Sequence, residues 1–390
     1  MTQLPVRLLA FVGAALVVDT AAYATITPLL PSLTEEHDLG KAGAGLLAAA
    51  YPAGVLALGL PAAALATRLG AKRTTIGSML VLAVSSLAFG LASSAPTLMA
   101  ARFAQGVGAA ALWAGALAWL VAETPRERRA EALGTAIGAA IAGALFGPVL
   151  GVAAEELGRL VIFGGFVAVP LALTVWALRM PASGARVPIG LHEMRVVAGD
   201  GQMRSGIWLM ALPAIGFGTI GVLVPLRLDE LGGGAIVIGA AFLGAVVFEA
   251  AISPLVGRMA DRRGSLWPAR IGLGTGALLL LVLPWPDAVA PIVLAVMLAA
   301  PLLGMLWAPA MKMLSDASDA RGIDPAFGFG LANMAWGLGA TIGGSGAGAL
   351  AAATTDAVPL IVVAGLCLVT VACFRGAARV EAEAAYARSL

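Results

Sequence analysis

The chain has 390 residues, of which 60% are hydrophobic and 12% are charged, and its mean hydropathy is +0.95. Soluble domains carry about 25% charged residues, so this composition excludes an ordinary soluble protein and indicates a polytopic membrane protein. The net charge of +2, with no basic patch interleaved with aromatic residues, does not suggest nucleic-acid binding.

Twelve apolar stretches are each close to the ~20 residues that cross a bilayer core about 30 Å thick. They cover residues 7–30, 43–66, 74–94, 97–121, 131–153, 159–179, 205–226, 236–257, 269–288, 290–311, 326–351 and 356–375. Most of the 24 Lys and Arg residues fall in connections on the side of the N-terminus. The positive-inside rule therefore predicts that both termini are cytoplasmic.

Asp19 lies near the middle of span one, and Tyr23 follows it by four residues on the same helix face. A charge at the bilayer centre costs at least about 2.5 to 3.5 kcal/mol on insertion scales, so it must face a cavity or a partner. Asp19 is predicted to bind a proton or a cation, or else to be a neutral acid hydrogen-bonded to a neighbouring helix. Tyr23 either lines the same site or packs against span five or eleven.

Spans two and four add three candidates for the substrate and proton site. Arg102 opens span four and either joins the site or extends back to the outer interface. Tyr51 and Trp113 are aromatic side chains that either line a cavity for flat cations, through cation–π contact, or simply pack.

Span five contains a stripe of glycines at a spacing of four. Gly143, Gly147 and Gly151 lie on one helix face, which another helix can approach closely. Pro148 lies beside them and is expected to bend the helix. We predict that these four residues let the two halves of the protein close tightly on one side.

Three short segments repeat at nearly one offset, which indicates a tandem duplication. The matching segments are 66–70 with 260–264 and 112–115 with 306–309, each 194 residues apart, and Gly143/Gly147 with Gly339/Gly343, 196 apart. We predict two pseudo-symmetric six-helix bundles at 1–179 and 205–390, the second with a short cytoplasmic tail, joined by a cytoplasmic loop at 180–204.

The second half carries the other deep carboxylate, Glu249 in span eight, with the same two interpretations as Asp19. Trp307 in span ten and Trp336 in span eleven are further aromatic candidates, and Asn333 is an amide within a span that needs a partner. The sequence has no metal-ligand spacing, P-loop, nucleophile elbow or dinucleotide fingerprint, which argues against an ATP-driven pump and offers no catalytic residues.

Twelve spans in two halves with these loops resemble the major facilitator superfamily. Residues 257–264 match the loop motif of that superfamily, in which Gly257 and Gly264 let helices touch and Asp261 and Arg262 form pairs in one conformational state. The first-half copy keeps Arg68 but replaces the motif's aspartate with threonine, so a purely topological role is equally open there.

Residues 134–151 resemble the span-five signature of drug:proton antiporters, except that Val152 stands where a second glycine is usual. Span one resembles that of vesicular-amine and multidrug members, which associates Asp19 with cationic substrates. The start of span four resembles the superfamily pattern in which Arg102 is linked to proton coupling.

We therefore predict an all-α polytopic protein of the cell (inner) membrane that exports amphipathic, cationic small molecules in exchange for protons by alternating access. It is expected to be a monomer in the lipid bilayer, with protons as coupling ion, no cofactor and no enzymatic activity. One alternative is export of a specific metabolite such as a sugar, an amino acid or a nucleoside. Another is a membrane receptor or enzyme that reuses the fold.

Overall fold

The computed structural model describes residues 5–181, 200–263, 266–321 and 325–389. The first part of the chain forms α1 (Val6–Ala24), α2 (Ile26–Glu36), α3 (Gly40–Leu69), α4 (Ala71–Leu91), α5 (Ala95–Glu123), α6 (Arg129–Leu157), α7 (Arg159–Phe166) and α8 (Ala168–Leu178). The second part forms α9 (Gly201–Glu230), α10 (Ala235–Arg263), α11 (Leu266–Val282), α12 (Val289–Gly304), α13 (Trp307–Asp319), α14 (Pro325–Ala353) and α15 (Ala357–Ser389). Within the described ranges there is no strand, so the predicted all-α class is confirmed.

In the part of the chain that the structure describes, ten helical stretches are long and apolar enough to cross a membrane. The other two predicted spans, nine and eleven, correspond to the 17-residue apolar helix α11 and to the 29-residue helix α14. The protein is therefore a multi-pass membrane protein, as its composition indicates.

Three predicted spans are each divided into two helices, and each division lies shortly before a proline. The divisions are at Thr25 before Pro28, at Val167 before Pro170, and at Met305 and Leu306 before Pro309. Proline has no backbone N–H, so the carbonyl four residues earlier loses its helical partner and the helix ends near it. Pro148 does not have this effect, because α6 remains helical on both sides of it.

The same pairings of helices occur in both parts of the chain. In the first part, α1 packs on α6, α3 packs on α5, and α4 packs on α7 and α8. In the second part, α9 packs on α14, α10 packs on α12, and α11 packs on α15. These pairings relate equivalent spans of the duplication. The bounds of the two bundles stay a prediction, because 182–199 lies outside the described residues.

The two halves meet mainly through α3 against α14 and α6 against α10. These contacts include the start of α3, where a Cβ on Gly45 would come within 2.9 Å of Gly348 Cα. Lys41 Nζ lies 2.7 Å from Asp356 Oδ2 and 3.3 Å from Glu230 Oε1 of the second half. We call this the Lys41 end of the molecule. At the opposite end of α3, Leu69 is 49% exposed.

Candidate functional site

Asp19 is enclosed by aromatic side chains from two neighbouring helices. It lies on α1 with a side chain only 1% exposed. Tyr51 Oη of α3 donates a hydrogen bond to Asp19 Oδ1 at 2.8 Å, and Trp113 Nε1 of α5 donates to Asp19 Oδ2 at 3.0 Å. The structure thus brings together three of the predicted site residues and gives each carboxylate oxygen a donor.

Arg102 is fully buried and points into the protein, so the alternative that it extends to the outer interface is wrong. One guanidinium nitrogen donates to Ala22 O at 3.0 Å and to Gln105 Oε1 at 2.9 Å, and the other donates to Tyr23 O at 3.0 Å. The two carbonyls belong to the last turn of α1, beside its break at Thr25. Arg102 therefore holds the broken turn of span one in place.

The guanidinium group of Arg102 also reaches the Asp19 site through Tyr51. Its central carbon lies 5.0 Å from the centroid of the Tyr51 ring, within cation–π range. Gln105 in turn donates from Nε2 to Ser86 Oγ of α4 at 3.2 Å. We call Ser86, Gln105, Arg102, Tyr51, Asp19 and Trp113 the Asp19 network.

Tyr23 connects this network to the second half of the protein. Its ring centroid lies 5.0 Å from that of Tyr51 and 5.1 Å from that of Trp336 on α14. Tyr23 therefore packs against span eleven and also borders the Asp19 site, so both interpretations of this residue hold. Trp336 is half-buried and contributes to the same aromatic group.

Glu249 forms a separate and simpler site in the second half. Its carboxylate is half-buried, and the indole of Trp307 lies beside it. The carboxylate rests against the end of α12, because a Cβ on Gly304 would come within 2.6 Å of Glu249 Cδ. Phe217 of α9 stacks on Trp307 with centroids 5.8 Å apart and ring planes at 13°.

Three residues of these sites were not predicted as site residues from the sequence. Phe217 and Ser86 lie in spans that carry no motif, and Gln105 follows Arg102 by three residues in span four. Asn333, by contrast, was predicted as a candidate. It is half-buried, and no hydrogen bond to its side chain is found among the described residues, so its role stays a prediction.

The glycine stripe of α6 packs against α1 of its own half and not against the other half. A Cβ on Gly143 would collide with Thr20, one on Gly147 with Ala24, and one on Gly151 would lie 2.5 Å from Thr25 O. The expectation that the stripe itself closes the two halves is therefore wrong. An adjacent face of α6 makes that contact, since a Cβ on Gly239 of α10 would lie 2.5 Å from Val152 Cγ2 and 3.4 Å from Pro148 O.

The counterpart glycines of the second half pack in the equivalent way. A Cβ on Gly339 would collide with Ala211 O of α9, and one on Gly343 would collide with Ile215 O of the same helix. Spans one and seven correspond under the duplication, so the two stripes hold corresponding helices. The repeat found in the sequence is thus a repeat of packing.

The structure describes only some of the cytoplasmic loop residues that were predicted to form pairs in one conformational state. Arg68 and Arg262 are exposed, and Gly257 has open space where a Cβ would lie. Gly264 lies outside the described residues, and the structure describes the backbone of Asp261 but not its side chain. The conformational role of this loop stays a prediction.

Two concave regions lie away from both carboxylates. One of about 420 Å³ lies at the Lys41 end, between α9, α12 and α15, and includes Arg227 and Asp356. The other, of about 710 Å³, is an apolar cleft between α4 and α5, lined by residues such as Val84 and Ala104. Neither region is lined by a residue of the Asp19 network. We therefore do not assign the substrate to either of them.

Paired helices that repeat in two halves, with carboxylates held deep between apolar helices, define a membrane transporter. The chain belongs to the Major Facilitator Superfamily, whose family model matches residues 12–226 and 206–388. This membership confirms the resemblance found in the sequence.

Two curated relatives share part of the chain. The methylenomycin A resistance protein of Streptomyces coelicolor is 34% identical over 157 residues, which is 40% of this chain and 31% of the relative. The MFS-type transporter ppzB of Metarhizium rileyi is 27% identical over 198 residues, which is 50% of this chain and 41% of the relative. The matches thus span less than half the length of either relative.

A solved structure matches nearly the whole chain. It is the crystal structure of a bacterial homologue of the human lysosomal transporter Spinster, in an inward-facing and unoccupied conformation. The TM-score is 0.74 at 16% sequence identity, and the match covers 95% of this chain and 96% of that one. This likeness shows the major facilitator fold and says nothing of the substrate.

Proposed function

We propose that the protein exports amphipathic, cationic small molecules in exchange for protons by alternating access. The observation that carries this proposal is the Asp19 carboxylate, which lies deep in span one between Tyr51 and Trp113 and is 1% exposed. A carboxylate at this depth costs at least about 2.5 kcal/mol to hold charged on insertion scales, so a function is the best account of its presence.

The surroundings of Asp19 suit a group that exchanges its charge during transport. Arg102 is nearby, but its hydrogen bonds go to Ala22 O, Tyr23 O and Gln105, so it does not form an ion pair with Asp19 among the described residues. Protonation of Asp19 then changes the net charge of the site, and a charge change at the midplane is what couples a proton gradient to movement of the two halves.

The arrangement of the halves supports alternating access. They are in contact at the Lys41 end, where Lys41 pairs with Asp356 and Glu230. With the cytoplasmic termini predicted by the positive-inside rule, this end is the outer one and the protein faces inward. The direction of transport is supported by the similarity to a protein named for methylenomycin A resistance.

The test is transport by the full-length protein reconstituted in liposomes that enclose a pH-sensitive dye. We expect an imposed proton gradient to drive counterflow of ethidium, a flat monocation, with a matching proton flux. Asp19→Asn abolishes both movements, whereas Asp287→Asn, which removes a surface carboxylate 89% exposed, leaves them intact. Absence of gradient-driven ethidium movement in the unmodified protein would refute the proposal. Movement of labelled sugars, amino acids or nucleosides without ethidium would favour a metabolite exporter instead.

A further inference from the structure

Each half of the protein pairs a tryptophan of the repeated segment with a deep carboxylate, but the two pairs are built differently. Trp113 Nε1 donates to Asp19 at 3.0 Å, and the Trp307 indole lies beside the Glu249 carboxylate. The two tryptophans stand at equivalent positions, in Leu-Trp-Ala-Gly and in Leu-Trp-Ala-Pro. The differences in burial and hydrogen bonding around the two carboxylates therefore indicate which ligand each can take.

Asp19 has room for a proton but not for a larger ligand. It is 1% exposed, and each of its oxygens already accepts a hydrogen bond, from Tyr51 or from Trp113. An indole N–H can only donate, whereas a tyrosine hydroxyl can donate or accept. A protonated Asp19 can therefore donate to Tyr51 Oη while Trp113 continues to donate to its other oxygen, so protonation costs neither hydrogen bond.

Few ionisable groups surround Asp19, and each is accounted for. Tyr23 lies on the same helix, Tyr51 on α3 and Arg102 on α5. The other helices packed on α1, including α6 and α8, present no ionisable side chain to Asp19 within the part of the chain that the structure describes. Protonation of Asp19 thus mainly changes its hydrogen bond with Tyr51. Through the Tyr51 ring it also affects the cation–π contact with Arg102.

Glu249 is more open than Asp19 and has acceptor capacity to spare. It is half-buried, the indole of Trp307 lies beside it, and it has no ion-pair partner among the described residues. Phe217 stacks on Trp307 as a nearly parallel ring, with centroids 5.8 Å apart, and both rings are half-buried. A carboxylate next to a pair of partly accessible aromatic rings is the chemistry that recognises an organic cation.

We propose that Glu249, Trp307 and Phe217 bind the charged end of a flat organic monocation, and that Asp19 carries the exchanged proton. The cation's charge meets the carboxylate while its apolar face lies along the two rings. This inference rests on the proposed function and assigns the two ligands of that function to different carboxylates.

The first test measures ethidium binding to the purified full-length protein in lipid nanodiscs at one pH. We expect Glu249→Gln to weaken binding at least about tenfold, because it removes a charge-assisted contact. Phe217→Leu, which removes a ring face, weakens binding by about three- to tenfold. Asp19→Asn retains ethidium binding and changes the dissociation constant less than Glu249→Gln does, because its carboxylate does not contact the cation and acts only through the coupling of the two sites.

Two matched variants control for loss of charge and loss of an aromatic ring. Asp287→Asn removes a surface carboxylate, and Phe248→Leu removes a ring that is 39% exposed next to Glu249 in sequence. Both are expected to bind ethidium like the unmodified protein. If Glu249→Gln does not fold, as judged by gel filtration and thermal unfolding, ethidium binding is measured with Phe217→Leu and Trp307→Phe instead.

The second test follows the proton by infrared spectroscopy of the ligand-free protein as pH is varied. One titrating protonated-carboxyl band of the unmodified protein is expected to persist in Glu249→Gln and to be missing from Asp19→Asn. Loss of ethidium binding in Asp19→Asn with retention in Glu249→Gln reverses the assignment, and loss in both indicates one shared site. Either result overturns the inference, as does absence of ethidium binding to the unmodified protein. Binding that follows the expected pattern without proton-driven transport would refute the proposed function alone.

Discussion

The two halves of the protein share their packing and differ in their polar chemistry. In both, a glycine-bearing helix packs closely on the first helix of its half, α6 on α1 and α14 on α9. In both, a tryptophan at an equivalent position lies beside a carboxylate. The first half, however, encloses its carboxylate in the hydrogen bonds of the Asp19 network, whereas Glu249 belongs to no such network among the described residues.

This difference shows how duplicated halves take different roles without a change of fold. Close backbone contact needs only small residues at a fixed spacing, so the architecture persists in both halves. A buried polar network needs every donor and acceptor to be matched, which restricts it to one place and makes it rigid. We infer that the first half provides a fixed proton site and the second half an adaptable surface for a ligand.

The largest effect is expected from removing the carboxylate of the first half. Asp19→Asn cannot take up a proton, so gradient-driven export of ethidium should fall by at least about 100-fold, in line with the loss of an essential group. Asp19→Glu keeps the carboxyl group and should recover part of the activity. Substantial gradient-driven export by Asp19→Asn would show that the two halves do not differ as described.

A smaller but still large effect is expected at Arg102, which has no counterpart in the second half. Arg102→Lys loses the fork that donates to Ala22 O and Tyr23 O, and buried hydrogen bonds from a charged group are worth about 1.5 to 3 kcal/mol each. We expect a loss of unfolding free energy of about 3 kcal/mol, measured by thermal unfolding, together with slower transport.

The matched control for Arg102 is Arg159→Lys. Arg159 also donates to a backbone carbonyl, Ala92 O at 2.5 Å, and its side chain is 16% exposed, but it makes one such bond where Arg102 makes two. Its replacement should therefore cost about half as much, roughly 1.5 kcal/mol. Equal losses for the two variants would mean that the broken turn of span one does not depend on Arg102.

The shared packing can be tested with single methyl groups in each half. Gly147→Ala and Gly343→Ala place a Cβ against Ala24 and Ile215 O, so overpacking should cost each about 1 to 3 kcal/mol. Gly138→Ala and Gly346→Ala lie on the same two helices in open space and should leave stability unchanged or raise it by up to about 1 kcal/mol. Thermal unfolding of the four variants measures these changes in stability. If Gly→Ala destabilised the protein in only one half, the two halves would not share this packing.

Much of the fold follows from the sequence, because its signals are local. The spans follow from hydropathy, the depth of Asp19 from its position in span one, and the repeat from matches such as 112–115 with 306–309. The glycine spacing also predicts a close neighbour correctly. It does not identify that neighbour, because any helix with a suitable face satisfies the same pattern, and the structure shows that the neighbour is α1.

The parts of the site that the sequence did not reveal depend on backbone atoms and on distant contacts. Arg102 donates to backbone carbonyls next to the break at Thr25. Every residue has a backbone carbonyl, so the residue types at these positions do not reveal the contact. Phe217 meets Trp307 only because α9 packs on α13. Neither contact could be inferred without the arrangement of the helices.

The smallest effect is expected where the two halves meet. Lys41 of the first half pairs with Asp356 at 2.7 Å, and its side chain is 31% exposed, so the pair should contribute only about 0.2 to 1 kcal/mol. If these halves separate at the Lys41 end during transport, the pair stabilises one conformation only. Lys41→Met should then shift the balance toward opening at this end by about 1.4- to fivefold, the factor that corresponds to such an energy.

This shift can be measured as transport rate and as the coupling energy of a double-mutant cycle between Lys41→Met and Asp356→Asn. Arg128→Met is the matched control, because Arg128 pairs with Glu131 at 2.8 Å within the first half and does not link the halves. It should change stability slightly and leave the conformational balance unchanged. If Arg128→Met altered transport as much as Lys41→Met, the Lys41 ion pair would matter for charge at the surface and not for contact between the halves.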